Sequence, residues 1–262
     1  MKKILLLTCL FLSAQSFALD LAKYPIELSS GDGVNVVIAP TIDKKQALVK
    51  VTGINHEIDG VTFLTDFKPH GSNNAYKYTF DGTERSLVSV EEGYRCCSYT
   101  LYVPETREGI YLSAKEESNP AIVADLKAQY ETQLSKGIQV KLATFDREKH
   151  LAYQQEKIVD ANNDMLKQCG VKVETTIDWK TIDDKTLQTY AVGAYCAQVA
   201  NEMASMCESD EGFKNKIAKI KAIECDFSDE LKLRQTNETL TFKTAPKAPN
   251  QPQFIKAYLL NL

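Results

Sequence analysis

The sequence contains little histidine and lacks the motifs that mark the common enzyme classes. Only His56, His70 and His150 occur among 262 residues. Gly-x-Ser-x-Gly, His-Glu-x-x-His, Gly-x-x-x-x-Gly-Lys and Gly-x-Gly-x-x-Gly are all missing, which excludes a nucleophile elbow, a zinc-protease pair and the common phosphate-binding loops. We therefore expect no cofactor, and no residue can be assigned a catalytic role.

Long apolar runs are missing after residue 18. A membrane-spanning helix needs roughly 18 consecutive apolar residues, so we expect no transmembrane segment. The net charge of −4 disfavours nucleic acid as a partner. Four lysines in Lys214–Lys221 follow the acidic run Glu208–Glu211, an order typical of a solvated helix; contact with an anionic envelope component is the alternative.

Residues 1–18 have the composition of a cleavable export signal. Lys2 and Lys3 precede an apolar stretch, Ile4–Leu12, and the small residues Ser16 and Ala18 stand at the positions that a signal peptidase reads. These features are typical of bacterial signals. The sequence therefore predicts a periplasmic or secreted protein.

Lipid attachment at Cys9 is an alternative fate for the N-terminus. The segment before this cysteine resembles a lipobox only weakly, because Cys9 comes too early and Thr8 replaces the small residue usual at that position. We favour the cleaved form without lipid.

Residues 19–118 predict an all-β domain. Seven runs rich in β-branched and aromatic residues are separated by turn residues; the runs are Val34–Ala39, Ala47–Ile54, Val61–Phe67, Ala75–Phe80, Arg85–Glu91, Tyr94–Val103 and Gly109–Lys115. This number and spacing favour an antiparallel β-sandwich or a partly open barrel. The alternation in Tyr76–Phe80 places three aromatic rings on one face, as in a half-buried strand.

Residues 119–262 predict an α+β domain, because the periodicity changes from that of strands to that of helices near Asn119. The expected elements are helices over Asn119–Lys136, Phe145–Gln168 and Asp184–Cys207, a strand in Val171–Trp179, a short lysine-rich helix, strands Ala222–Phe227, Leu231–Gln235 and Thr239–Lys243, and a terminal amphipathic segment Phe254–Leu262. The third helix carries two cysteines and forms the centre of the domain.

Metal binding is not indicated. His56, Asp59 and His70 could in principle hold zinc, but their spacing fits no compact zinc motif and both histidines lie beside turn residues. We therefore expect no metal site.

Four cysteines in the second domain predict two disulfides in an exported protein; they are Cys169, Cys196, Cys207 and Cys225. Cys196 and Cys207 lie about 16 Å apart along one helix, beyond the roughly 7 Å limit for a disulfide, so they cannot bond to each other. If residues 171–179 run back along the helix, Cys169 falls near Cys196. This favours Cys169–Cys196 with Cys207–Cys225 over the crossed pairing, and four free thiols are the other alternative.

Cys96 and Cys97 are neighbours in the sequence. Neighbouring Cα atoms are about 3.8 Å apart, shorter than the usual disulfide span, so a bond between them would be strained and reducible. On a regular strand the two side chains would point to opposite faces, which disfavours the bond unless the strand kinks. With Tyr94, Tyr99 and Tyr102 nearby, the pair predicts either a vicinal disulfide or an apolar contact surface.

These features favour a non-catalytic exported protein of the bacterial envelope that binds a partner through its β domain. The partner could be an envelope protein, a glycan or a small ligand. A thiol-redox protein using Cys96 and Cys97 is one alternative. Another is a hydrolase of envelope polymers with loop carboxylates, such as Asp59, Asp66, Asp81 and Glu84.

We predict cleavage after Ala18, because Ser16 and Ala18 satisfy the peptidase. Intact-mass measurement of the protein recovered after export in a bacterial host tests this. A product that begins at Leu19 and carries no lipid is expected, whereas retention of residues 1–18 or acylation of Cys9 would contradict the prediction.

Overall fold

The computed structural model describes residues 19–93 and 96–262, so the predicted export signal and its cleavage site lie outside the described residues. Contacts within the chain divide it into two compact units, one ending at Phe145 and one running from Asp146 to Leu262. The change in periodicity predicted a boundary at residue 118 instead. The boundary lies later because two helices that follow the last strand of the first unit pack against that unit.

The first unit is a closed antiparallel barrel. Its strands are β1 Ile26–Ser29, β2 Asn35–Pro40, β3 Gln46–Thr52, β4 Thr62–His70, β5 Asn73–Phe80, β6 Thr83–Gly93, β7 Cys96–Leu101 and β8 Ile110–Ala114. Each strand pairs with the next, and β1 pairs with β8 to close the sheet. The predicted antiparallel all-β architecture is confirmed, but the barrel is closed rather than open or a sandwich, because β1 was missed.

The barrel interior is filled by side chains. Alternate residues of every strand point inward, and the aromatic residues of β5 lie among them as predicted. The ring of Phe63 packs 4.7 Å from that of Tyr78, and Phe67 lies at the same distance from Tyr76, measured between centroids. The interior is therefore a packed core.

Helix α1 (Ala121–Ser135) covers part of the outer barrel surface. Its buried Leu126 packs against Leu48 on the outward side of β3. The side-chain amides of Gln129 and Gln133 both donate to the backbone oxygen of Gly60, at 3.0 Å each. This apolar and polar contact explains why α1 belongs to the barrel unit.

Helix α2 (Ile138–Ala143) packs against the barrel core. Leu142 is buried in the interior cluster and Ile138 packs against it. The carbonyl oxygens of Leu142 and Ala143 accept hydrogen bonds from the turn residues Asp81 and Gly82, at 2.8 and 2.9 Å. The helix is thus bonded to the β5–β6 turn.

The second unit is an α+β domain, as predicted. Its elements are α3 Arg147–Cys169, β9 Glu174–Ile177, α4 Asp184–Thr189, α5 Val192–Ser209, α6 Glu211–Ile217, β10 Ala222–Phe227, β11 Lys232–Thr236, β12 Thr239–Thr244 and α7 Gln251–Leu260. The sheet order is β11-β12-β10-β9. Strand β10 is parallel to both β9 and β12, whereas β11 is antiparallel to β12.

Helices α3 and α5 run in parallel at close range. The backbone N–H of Gly193 donates to the side-chain oxygen of Gln154 at 2.8 Å. A Cβ at Gly193 would lie 2.1 Å from the Gln154 carbonyl oxygen, so only glycine permits this approach. Further along both helices, Cys169 of α3 bonds to Cys207 of α5.

The favoured disulfide pairing was wrong. The four cysteines form the pairs Cys169–Cys207 and Cys196–Cys225, the crossed alternative. The error came from the helix expected to start at Asp184, which is two helices interrupted at Tyr190. Because α5 starts only at Val192, Cys196 lies in its first turns and Cys207 is the residue that reaches the level of Cys169.

Replacing Leu142 by Ala is expected to lower the free energy of unfolding of the barrel unit by about 2–5 kcal/mol, because a buried leucine is removed from a packed core. Val140→Ala on the same helix is the matched control, since Val140 is 63% exposed and its loss should change stability by less than about 0.5 kcal/mol. Chemical denaturation of both variants measures the difference. Equal effects would show that α2 does not contribute to the barrel core.

Candidate functional site

Cys96 and Cys97 are the first two residues of β7, which pairs with β6. Cys96 pairs with Gly93 and Cys97 with Glu92 across the hairpin. Cys96 has a φ of 75°, in the left-handed region, so the strand is irregular at this residue. The alternation expected of a regular strand is therefore broken, and the two Sγ atoms lie 2.7 Å apart.

The two thiols differ in their surroundings. Cys96 is exposed, whereas Cys97 is partly buried and packs against the barrel core. Two causes raise the pKa of the Cys97 thiol: the contact with Cys96, which is the larger, and burial. A hydrogen bond from the Tyr99 hydroxyl opposes that rise. Cys96 is therefore the more accessible sulfur, and Cys97 is the protected one.

Two buried tyrosines belong to the same part of the barrel. Burial raises the pKa of Tyr76 to about 12, with Cys97 as a second cause. Burial is also the largest cause that raises the pKa of Tyr99, and the proximity of Cys97 is the second. Both phenols therefore remain protonated at physiological pH and can act as hydrogen-bond donors.

The predicted tyrosine surface is only partly assembled. Tyr94 lies outside the described residues. Tyr99 is buried on the inner face with Cys97, but Tyr102 is 42% exposed beyond the end of β7. Tyr102 instead lines a separate cavity of about 290 Å³ together with His70 and Ser86. Cys97 and Tyr99 form one site, and Tyr102 does not belong to it.

The carboxylates expected in loops do not form a catalytic pair, and Asp66 and Glu84 lie in strands β4 and β6 instead. Lys68 binds both Asp66 and Glu84, with Nζ–O distances of 3.0 and 2.7 Å. A hydrogen bond from Gln46 lowers the pKa of Asp66, and one from Lys68 lowers the pKa of Glu84. Both carboxylates are thus held ionised, and neither is suited to be a general acid.

The other two candidate carboxylates lie in turns. Asp59 accepts a hydrogen bond from the backbone of Ile54 at 3.0 Å, and Asp81 is buried in the β5–β6 turn. The Nδ1 atom of His56 accepts a hydrogen bond from the Ile58 backbone at 3.3 Å. No group of three or more potential metal-ligating side chains occurs within the described part of the chain.

A pocket that the sequence did not predict lies in the second unit. Its volume is about 530 Å³, within the range of small-molecule sites. Residues at or after the carboxyl ends of β9, β10 and β12 line it, among them Thr181, Phe227–Asp229 and Ala245–Ala248. These three strands are parallel, and the carboxyl ends of parallel strands are a common location of binding crevices.

The walls of this pocket are held by defined contacts. The buried Gln251 of α7 accepts from the hydroxyl of Thr244 at 2.6 Å and donates to the carbonyl of Ala245. The backbone N–H of Ser228 donates to the Thr244 oxygen at 2.8 Å, which ties the ends of β10 and β12 together. The loop that lines the pocket is therefore positioned before any ligand arrives.

Aromatic and charged groups meet at the pocket. The ring of Phe227 lies 5.7 Å from that of Tyr190, between centroids, and both residues line the pocket. Asp229 and Lys247 are exposed, and neither forms a salt bridge with any other described residue. The pocket thus offers an apolar wall and one unpaired charge of each sign.

Comparison with known proteins gives no relative. No family model, curated protein or solved structure matches the chain.

Within the described residues, no helix is long and apolar enough to cross a membrane.

Replacing Cys96 and Cys97 together by Ser is expected to change the free energy of unfolding by less than about 0.5 kcal/mol, because both lie at a hairpin end and a bond between neighbours closes almost no loop. Cys169→Ser should cost about 2–5 kcal/mol, because the Cys169–Cys207 bridge spans 38 residues. Thermal and chemical unfolding compare the two. Equal destabilisation would mean that Cys96 and Cys97 are structural.

Proposed function

We propose that this chain is an exported, non-catalytic binding protein of the bacterial envelope, periplasmic or secreted. Its ligand is a small zwitterionic molecule of the amino-acid or short-peptide class, held in the pocket at the carboxyl ends of β9, β10 and β12. The observation that carries the proposal is this pocket, with Asp229 and Lys247 unpaired beside the ring of Phe227.

Export is supported by the sequence and by the disulfides. Residues 1–18 have the order of charged, apolar and small residues of an export signal. The second unit has two buried disulfides, which persist in oxidising compartments and are rare in the cytosol. Both features are compatible with a periplasmic or secreted location.

The ligand class follows from the chemistry of the lining. A carboxylate such as Asp229 binds an ammonium group, and the ammonium of Lys247 binds a carboxylate. The hydroxyls of Thr186 and Ser228 add neutral polar contacts, and Phe227 offers an apolar surface. A molecule with one charge of each sign and an apolar side chain uses all of these groups.

Binding is favoured over hydrolysis because the carboxylates proposed for catalysis have other partners. Asp66 and Glu84 are both paired with Lys68, and Asp59 is engaged in its own loop. The pocket offers one carboxylate, Asp229, and glycoside hydrolysis in most families needs two. The geometry therefore supports recognition of a ligand without its chemical conversion.

The proposal predicts binding of at least one member of a panel of free amino acids and dipeptides by calorimetry. Asp229→Asn and Lys247→Gln should each weaken that binding roughly tenfold to a hundredfold, since a charged hydrogen bond contributes about 1.5–3 kcal/mol. Glu230→Gln is the matched control, because Glu230 is exposed beside Asp229 and does not line the pocket. It should bind as the parent does.

Saccharides are included in the same panel as the competing ligand class. Binding of a neutral sugar with no response to Lys247→Gln would overturn the zwitterionic assignment while keeping the pocket. No binding by any compound, or binding that neither pocket variant alters, would overturn the proposed function.

A further inference from the structure

The adjacent cysteines of the barrel have a geometry that the proposed binding function does not use. Cys96 adopts a positive φ, a strained conformation that is uncommon for residues other than glycine. Its effect is to bring the Sγ atoms of Cys96 and Cys97 to 2.7 Å from each other. Strain of this kind is commonly retained where it serves a function.

We propose that Cys96 and Cys97 form a reversible thiol–disulfide exchange site whose co-reactant is an exposed disulfide on a small molecule or a protein. The site cycles between the dithiol and a vicinal disulfide. It lies in the barrel unit and does not depend on the pocket of the second unit.

The two sulfurs have distinct roles in this exchange. Cys96 is the attacking residue, because it is exposed at the hairpin end and access controls thiol reactivity. Cys97 is the resolving residue, because it is partly buried against the barrel core and already lies at the Cys96 sulfur. The Tyr99 side chain interacts with the Cys97 thiol and lowers its pKa, which favours its thiolate.

The exchange is a balanced two-electron reaction. The Cys96 thiolate attacks one sulfur of the co-reactant disulfide, forms a mixed disulfide and releases one thiolate. The Cys97 thiolate then attacks the Cys96 Sγ, forms the Cys96–Cys97 bond and displaces the second thiolate. The two protons lost by the cysteines reside on the two thiols released, so the pair is oxidised and the co-reactant is reduced.

The other two disulfides do not take part in this exchange. Cys169–Cys207 and Cys196–Cys225 are buried and close long loops, which makes them resistant to reduction. A vicinal bond is different, because neighbouring Cα atoms are closer than the usual disulfide span. Strained and exposed disulfides are the labile ones, so a mild thiol reductant distinguishes this pair from the buried bridges.

The test uses the full chain, with oxidised glutathione as the probe. The protein is first reduced mildly so that the two buried disulfides survive, then oxidised, quenched in acid and analysed by intact mass and non-reducing peptide mapping. The parent protein is expected to lose two hydrogen atoms and to yield a Cys96–Cys97 peptide without a lasting glutathione adduct. Reduced glutathione should reverse this at concentrations that leave both buried bridges intact.

Single variants separate the two roles. Cys97→Ser should accumulate a glutathione adduct on Cys96, because the resolving thiol is gone. Cys96→Ser should react about tenfold more slowly, since only the partly buried sulfur remains. Tyr99→Phe should shift the pH dependence of the resolving step to higher pH without changing the rate at which the mixed disulfide forms.

Three results would overturn the proposal. One is a parent protein that keeps a stable glutathione adduct on either cysteine. Another is oxidation that links two chains instead of Cys96 to Cys97. The third is a pair that does not react in the folded protein although it reacts after denaturation, which would show that the sulfurs are inaccessible. Since Cys96 and Cys97 lie at a hairpin end, their variants are expected to fold, and circular dichroism checks this.

Discussion

The first unit depends on the hydrogen bonding that joins β1 to β8. This seam is short, with only Leu28 facing Ala114 and Ser29 facing Ser113. The side chain of Glu27 strengthens this seam. Its carboxylate accepts a hydrogen bond from the Asn119 backbone at 2.9 Å and forms an ion pair with Lys115 at 3.4 Å. Closing the sheet removes the two free edges that an open one would expose, and it places the start of α1 beside the outer surface that this helix covers.

The second unit is organised around α5. The residues of α5 that face α3, β10 and α7 are buried, so α5 is the central helix of this unit. The absence of a side chain at Gly193 sets the distance to α3, and the two disulfides link the helix to α3 and to β10. The sheet is thereby held against α5, and the loops at the carboxyl ends of its strands are positioned around the pocket.

Local patterns predicted much of this fold. Alternation and turn residues gave β2 to β8, because each of those strands has an apolar face and a clear boundary. Strand β1 was missed because its four residues contain a single buried position. The break at Tyr190 was missed because no proline or glycine marks it, and this one error misplaced Cys196 and therefore the disulfide pairing. Barrel closure could not be predicted, since it depends on pairing between residues far apart in sequence.

The cysteine pair and the pocket also differ in how far the sequence predicts them. The adjacent cysteines could be recognised from sequence, but not the positive φ of Cys96 that turns both sulfurs together. The pocket had no sequence signal, because its lining comes from three separate segments near Thr181, Phe227 and Ala245. Residues of this kind become a site only after the parallel strands have been assembled.

The crossed connectivity of the two disulfides has a consequence for biogenesis. Each bridge closes a loop that contains one cysteine of the other bridge, so the segment between Cys196 and Cys207 belongs to both loops. If the chain is exported from its N-terminus, as we propose, Cys169 and Cys196 of the second unit arrive before their proper partners. Oxidation in order of arrival would therefore join the wrong sulfurs, and correct bridges require either that α3 has already docked on α5 or that mispaired bonds are exchanged. Under the proposed export, maturation of the second unit would depend on an environment that can rearrange disulfides as well as form them.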